Sequence, residues 1–380
     1  MILILTASVS LAVIWIGYPC LLFLLARLTH HGSESHLRPS EFTAGIVIAA
    51  HNEGERIAER ISNIAAMCYP PDKVTIIVAS DGSTDNTVDA ARTSGTECGV
   101  NVVVHDLQPQ EGRAAAHNAA VALADCDVLV FTDAETVFDR NCLTELIRPF
   151  SDPTIGFASG VLSWDNSMNE AISQHAGLYW RLELAMRRWE TSLGVNVFGS
   201  GACCAVRRSL YSSIPTTGDI DFTTPLDVVK QGHRCVQVEG ALAMDQTPSS
   251  ARAEFRARVR MTSKNLRGTI GRWGVQGVLH HPILTGVLLL HKIGRWFTPF
   301  FGIALVLGSI LILPHNTGWI LLTVEIGALL LAVAGGMGVP IPLASPAWSF
   351  LVANCGFAVG VLKAISGSVQ TFYLPLNQRT

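Results

Sequence analysis

Residues 1–28 are apolar almost throughout, interrupted only by small and hydroxyl residues, with Trp15 and Tyr18 inside the run. At about 1.5 Å of helical rise per residue, such a run spans a bilayer and exceeds the apolar core of a cleavable signal peptide. Arg27, His30, His31 and Arg38 follow it. Basic residues on that side place it in the cytoplasm by the positive-inside rule. The pattern predicts a membrane anchor over 1–28 and a cytosolic domain after it.

From residue 39 to about 250 short apolar runs alternate with mixed ones. Residues 45–50, 74–79, 100–105 and 126–132 read as buried strands, with helices over 55–67, through Arg92 and over 112–123 between them. Beyond residue 150 the pattern loosens, to a strand over 155–163, a long helix over 169–194, a helix from near Pro225 to Lys230 and a strand over 232–238. Strands alternating with helices imply an α/β domain with a parallel, doubly wound sheet, whose ligands bind at the carboxyl ends of the strands.

Residues 251–273 carry Arg252, Arg256, Arg258, Arg260, Lys264, Arg267 and Arg272 against the single acid Glu254. With membrane segments following, they read as a helix on the cytosolic leaflet, where each basic residue near anionic lipid contributes about 1 kcal/mol. The amphipathic stretch 283–295 extends this interfacial region, so that 251–295 forms one unit and 296–380 the transmembrane helices and tail. Apolar blocks over 296–313, 319–333 and 350–365 are the candidate spans. Four spans in all put the C-terminus outside, whereas Lys363 and Arg379 favour inside, and the topology stays open.

Composition supports the membrane reading. Of 380 residues 49% are hydrophobic and 15% charged, with a mean hydropathy of +0.36, too apolar for an ordinary soluble enzyme. The net charge of −3 gives no global field for nucleic acid. Nine cysteines without a C-x-x-C pair argue against a zinc site and for scattered reduced thiols.

The candidate chemistry sits at strand ends. Ala50-His51-Asn52-Glu53, Ser80 to Asp85 and Thr132-Asp133-Ala134-Glu135 each close an expected strand. Asp133 and Glu135, two positions apart, point to one side of extended backbone and call for a compensating cation. Oxygen donors of this kind suit Mg²⁺ or Mn²⁺, completed by phosphate and water, and imply a phosphorylated substrate. Asp81 and Glu53 can accept hydrogen bonds from a nucleobase or ribose, and an Asx-type turn is the plainer account of Asp81 to Thr84.

The ordered set AHNE, ASDGSTDNT, QEGRAAAHNAA, FTDAE, GSGACCAVRRSLY and GDIDFTTPLDVVKQGHR resembles membrane-anchored family 2 glycosyltransferases of bacterial exopolysaccharide and surface-polysaccharide assembly, over residues 43–270. The resemblance implies a GT-A-type, Rossmann-like mixed sheet between N- and C-terminal transmembrane helices. It implies an inverting, metal-dependent transferase at the cytosolic face of the inner (plasma) membrane, taking a UDP- or GDP-sugar and a polyprenyl-diphosphate-linked saccharide or glycan. Donor contacts would come from Ala50, Asn52, Glu53, Asp81, Ser83, Arg113 and Asp133. Arg113, where the family has Lys, would approach the pyrophosphate or steady Asp81. Asp133 and Glu135 stand at the family's D-x-D and would hold the metal, with Glu replacing the second Asp. Asp221 would be the general base, although Ile220 replaces the family's preceding Glu, and Asp219 is the local alternative. Gly199, Ser200, Gly201, Asp219 and Arg260 would line the acceptor side, and Arg207 would face phosphate or solvent. The Q-x-x-R-W of processive synthases reads Ala257 to Met261 here and keeps only Arg260, which favours few or single additions. Polymer extrusion by a processive synthase, or an inactive scaffold, are the alternatives. No G-x-G-x-x-G follows the first strand, as a dinucleotide-binding dehydrogenase would need. Glu325 is the one clear ionisable group within a span, too little for a transporter.

Overall fold

The computed structural model describes residues 1–29, 41–164, 170–245 and 250–368. His30, His31, Arg38 and Arg379, on which the orientation argument leaned, lie outside them.

Four strands rich in Val and Ile form one side of the sheet: β1 (Ala44–Ala50), β2 (Val74–Asp81), β3 (Asn101–Leu107) and β4 (Val128–Thr132). They are parallel, in the order β3-β2-β1-β4. Helices α2 (Gly54–Ala65), α3 (Thr87–Cys98) and α4 (Arg113–Ala122) connect them, following α1 (Ile2–Leu28). Ile46, Val47, Ile48, Ile76, Ile77 and Val130 are all fully buried. Each contributes on the order of 1.5–3 kcal/mol by leaving water, and burial on both faces explains runs without alternation.

The second half departs from the all-parallel expectation. After a two-residue strand β5 (Val137–Phe138) and α5 (Cys142–Ile147), β6 (Ile155–Trp164), α6 (Glu170–Ser192), β7 (Cys204–Arg207), α7 (Ile220–Lys230) and β8 (Arg234–Asp245) complete eight strands in the order β3-β2-β1-β4-β7-β6-β8-β5. β7 runs antiparallel to both β4 and β6, and β5 is antiparallel to β8. The mixed sheet is the one the family resemblance implies. α7 begins at Ile220, not near Pro225, so Asp219 is its N-cap residue and Asp221 lies in its first turn.

Helix α8 (Ala251–His280) does not lie free on a surface. Val259, Thr262, Ser263, Lys264 and Leu266 are buried, and α11 (Ala344–Ser366) lies along it. A methyl on Gly356 would stand 2.6 Å from the Arg258 Cβ, and one on Gly360 2.7 Å from the Thr262 Cβ. Only glycine admits so close a crossing. The stretch expected at the interface, 283–295, is continuous with the following apolar block in α9 (Pro282–Leu311). With α10 (Asn316–Gly336), α1 and α11, it makes four helices among the described residues that are long and apolar enough to cross a membrane. The chain is read as a membrane protein. Glu325 meets the Ser309 hydroxyl at 2.9 Å between α9 and α10, a polar contact between helices.

Candidate active site

Strand register assembles the first half of the site. Ala50 pairs with Ser80, and Ile48 pairs with Thr132, so the residues that leave β1, β2 and β4 emerge together. Ala50, His51, Glu53, Asp81, Arg113 and Asp133 line one open cleft. Asn52 and Ser83 sit at its rim, bonded to each other: the Ser83 hydroxyl accepts from Asn52 N at 3.1 Å. The Asn52 side chain accepts from Thr84 N at 2.8 Å, and Asn52 has φ 55°, a conformation Asn tolerates better than most residues.

Asp81 is 2% exposed and makes no local Asx turn. Its Oδ1 accepts from Glu111 N at 2.7 Å and Gly112 N at 3.1 Å, and its Oδ2 accepts from Gly112 N at 2.9 Å. The carboxylate thereby anchors the turn into α4, where Gly112 takes φ 98°. Arg113, the first residue of α4, does not turn to Asp81. It forms an ion pair with Asp133, because β4 lies beside β1 and delivers Asp133 across the cleft. Glu135 lies 3.7 Å from Arg56, which also meets Glu53 at 3.3 Å. Three strand-end acids thus share the cleft with Arg113, and Arg56 links Glu53 to Glu135 beside it.

The second half surrounds Asp221. Pro225 has no N–H, so the carbonyl of Asp221, four residues earlier, lacks the usual helical partner. Gly199 N donates to that carbonyl at 3.1 Å. A methyl on Gly201 would stand 3.5 Å from the Asp221 carboxyl carbon, and Ser200 is buried beside them. The turn 199–201 and the carboxylate therefore form one unit. Asp219 pairs with Lys264 of α8 at 2.5 Å. Burial alone would raise Asp219, and the Lys264 ammonium, aided by Arg260 and Arg113, overcomes it and holds the carboxyl below its ordinary value. Asp221 moves the other way: burial raises it, the Asp219 charge adds to the rise, and Arg113 and Arg187 oppose it. Two acids two residues apart are thereby driven to opposite sides of the ordinary carboxylate value. Arg113 connects the halves, since its charge acts on both Asp219 and Asp221 while its side chain pairs with Asp133.

Arg207 is half-buried and donates to the carbonyls of Phe150, Asp152 and Ile155 at 2.5, 2.9 and 2.8 Å, so much of its guanidinium is committed to the backbone. Sequence reasoning missed Lys264, whose partner lies 45 residues away. It also missed His117, buried edge-on to Phe131 at 5.1 Å; burial, and then Arg113, push its imidazole well below the usual value. Arg187 was not singled out either, although Glu183 four residues before it is a helix-pair signal.

Residues 45–214 match the sequence model of glycosyl transferase family 2. An N-acetylglucosaminyltransferase of Azorhizobium caulinodans is 24% identical over 252 residues, 63% of this chain and 63% of the relative. A poly-beta-1,6-N-acetyl-D-glucosamine synthase of Staphylococcus aureus is 32% identical over 115 residues, 30% of this chain and 27% of the relative. The chain therefore spans less than two thirds of the length of these curated relatives. A mannosyltransferase from Pyrobaculum calidifontis, solved with GDP-Man and Mn²⁺, superposes with a TM-score of 0.70 at 20% identity, covering 96% of this chain and 99% of that one. Fold and sequence agree: the segment 45–214 of this chain is similar to glycosyl transferase family 2, and its architecture is GT-A.

Proposed function

We propose that the chain is an inverting, metal-dependent glycosyltransferase. It moves a sugar from a UDP- or GDP-sugar to a lipid-linked saccharide or growing glycan, at the cytosolic face of the inner (plasma) membrane. The observation that carries this reading is the convergence at the carboxyl ends of the central strands of Glu53, Asp81, Arg113 and Asp133 with the raised carboxyl of Asp221, joined through Arg113.

Asp133 and Glu135 fit a hard divalent cation. They offer only carboxylate oxygens, and each is already balanced by an arginine, Arg113 or Arg56. Among the described residues no three acids, His or Cys gather as a preformed cage. Such a pair suits Mg²⁺ or Mn²⁺ completed by donor phosphates. When bound, the ion supplies Lewis-acid stabilisation to the leaving diphosphate. Asp81 and Gly112 hold the turn that presents Arg113 to the same diphosphate. Asp221 takes the proton of the acceptor hydroxyl as its oxygen attacks the anomeric carbon, and the bond from that carbon to the diphosphate breaks with inversion. Asp219, kept anionic by Lys264, sustains the basicity of Asp221. Arg260 stands on the acceptor side, where its charge reaches Asp219.

A processive synthase is the second reading, favoured by relatives named as polymer synthases, such as the hyaluronan synthase of Streptococcus pyogenes, 25% identical over 177 residues. The departure from Q-x-x-R-W weighs against it. The test is a screen of UDP- and GDP-sugars, with Mn²⁺ and Mg²⁺, for turnover and labelled product by the full chain in membranes. Transfer that Asp221→Asn lowers by about 10²–10⁴-fold, the usual contribution of a general base, supports the proposal. No donor turned over, or an unimpaired Asp221→Asn, sinks it. A ladder of long products would select the processive reading.

A further inference from the structure

Behind the turn 199–201 lies a buried cluster of charges that the transfer chemistry does not use. Glu183 and Glu190 of α6 are 1% and 0% exposed, and α9 sends three side chains to them. His291 lies 3.0 Å from Glu183 and 2.6 Å from Glu190, Lys292 2.5 Å from Glu183, and Arg295 2.8 Å from Glu183. Tyr18 of α1 donates to Glu190 at 2.7 Å. Apolar residues would join these helices at least as stably, because charges taken out of water must first recover their lost hydration. The cluster is therefore better explained by what it holds in place than by adhesion.

One member reaches out of it. Arg187, 2.8 Å from Glu183, donates through Nη1 to the carbonyl of Gly199 at 2.8 Å. Gly199 in turn donates to the Asp221 carbonyl that Pro225 leaves free. An apolar path runs alongside. The Phe198 ring stands edge-on to His291 with centroids 4.4 Å apart, and 5.8 Å from Phe222, which lies 5.7 Å from Trp296. The residue before the turn and the residue after Asp221 both rest on α9.

We propose that Arg187 is the positioning residue for Asp221, locked by Glu183, so that the base is aligned only while the membrane helix α9 is seated against α6. The proposal rests on the reading of Asp221 as base. Arg187 also acts through space. The charged and titratable groups that bear on the Asp221 carboxyl are Asp219, which raises it, Arg113 and Arg187, which lower it, and the Cys204 thiol, which lies within its field. Lys264 pairs with Asp219.

The test compares wild type, Arg187→Gln, Arg187→Lys and Lys292→Met as full chains in nanodiscs, with kcat, donor KM and the pH profile of kcat read for each. Arg187→Gln is expected to lower kcat by about 10–100-fold, part of what a general base contributes, with donor KM within about twofold. The acid limb of its profile moves to higher pH, because a cation opposing protonation of Asp221 is gone. Arg187→Lys returns the limb towards wild type. Lys292→Met, whose side chain makes no contact with Asp221, lowers kcat and leaves the limb in place. Wild-type kcat and limb in Arg187→Gln overturn the proposal, as does a parallel loss of nucleotide binding, which marks general structural damage. Should Arg187→Gln not fold, an unchanged kcat in Lys292→Met overturns it. Wild-type turnover insensitive to Asp221→Asn removes the base assignment itself, a failure distinct from all of these.

Discussion

Lys264→Met is the sharpest test of how the proposed acceptor side is held together. The Lys264 side chain is 6% exposed and that of Asp219 20%, with 2.5 Å between them. Removing one partner of a buried pair costs about 3–5 kcal/mol, because the other charge is left in a poorly solvating site. Arg260 and Arg113 also act on Asp219, which argues for the lower end, about 3 kcal/mol. At 2–4 °C per kcal/mol, the scale for domains of 150–250 residues, this is roughly 6–12 °C in the unfolding midpoint. The sign of the pH dependence follows from the depressed carboxyl. Its stabilisation is complete above the unfolded value near 3.9 and is lost as pH falls through the lower folded value. The deficit of Lys264→Met is therefore expected in full at pH 7 and smaller at pH 5, because without the ammonium burial pushes Asp219 up and favours its protonated form. Thermal unfolding in detergent, followed by tryptophan fluorescence at both pH values, reads it. Asp219→Asn/Lys264→Met, with neither charge, should recover at least half of the loss. Additive effects of the two substitutions, or a midpoint within 2 °C of wild type for Lys264→Met alone, would refute the account.

Asp219→Asn alone should keep most of the activity while moving the acid limb of the kcat profile to lower pH, since it removes the anion that raises Asp221; complete loss would instead make Asp219 the base. Arg113→Met should tighten Mn²⁺ binding to the donor-free protein by about 1.4–5-fold, the equivalent of releasing a half-exposed ion pair worth about 0.2–1 kcal/mol, while raising donor KM. Titration by electron paramagnetic resonance reads the first effect, and weakened Mn²⁺ binding would show that Arg113 does not compete for Asp133.

The first four strands were legible because their Val and Ile runs are buried on both faces, and burial writes itself into composition. β7 was hidden: its four residues, Cys204 to Arg207, pass for part of a polar loop, and nothing local announces that they pair with β4 and β6. Pro225 misled in an instructive way. It reads as the start of a helix, yet α7 tolerates it inside because the carbonyl it leaves unbonded is taken by Gly199. Strand-end acids were readable as a group, whereas their partners were not. Arg113 could be placed at a helix start but not aimed at Asp133, and the contacts of Lys264 with Asp219 and of Arg187 with Gly199 depend on how α8 and α6 pack onto the sheet.

Charge balance constrains what the proposed donor cleft can accept. Glu53, Asp81 and Asp133 line it with Arg113, and Arg56 joins Glu53 to Glu135 beside it, so these residues set four acids against two arginines. The amides of Glu111 and Gly112 soften the charge on Asp81 without cancelling it. A nucleoside diphosphate sugar adds further negative charge to the same space, and at separations of about 4 Å like charges repel by several kcal/mol even at an effective dielectric of 20. Arg113 cannot serve both Asp133 and the diphosphate with one guanidinium. On the proposed reading Asp133 and Glu135 would hold a divalent cation arriving with the donor, whose charge would offset the acids and leave Arg113 to turn to the diphosphate. On this argument donor and metal affinities must rise together, so the donor should bind at least tenfold more weakly after chelation, a coupling of about 1.4 kcal/mol or more. Donor affinity measured by calorimetry with and without EDTA decides the point, and equal affinities in the two conditions would break the link between the acid pair and the pyrophosphate.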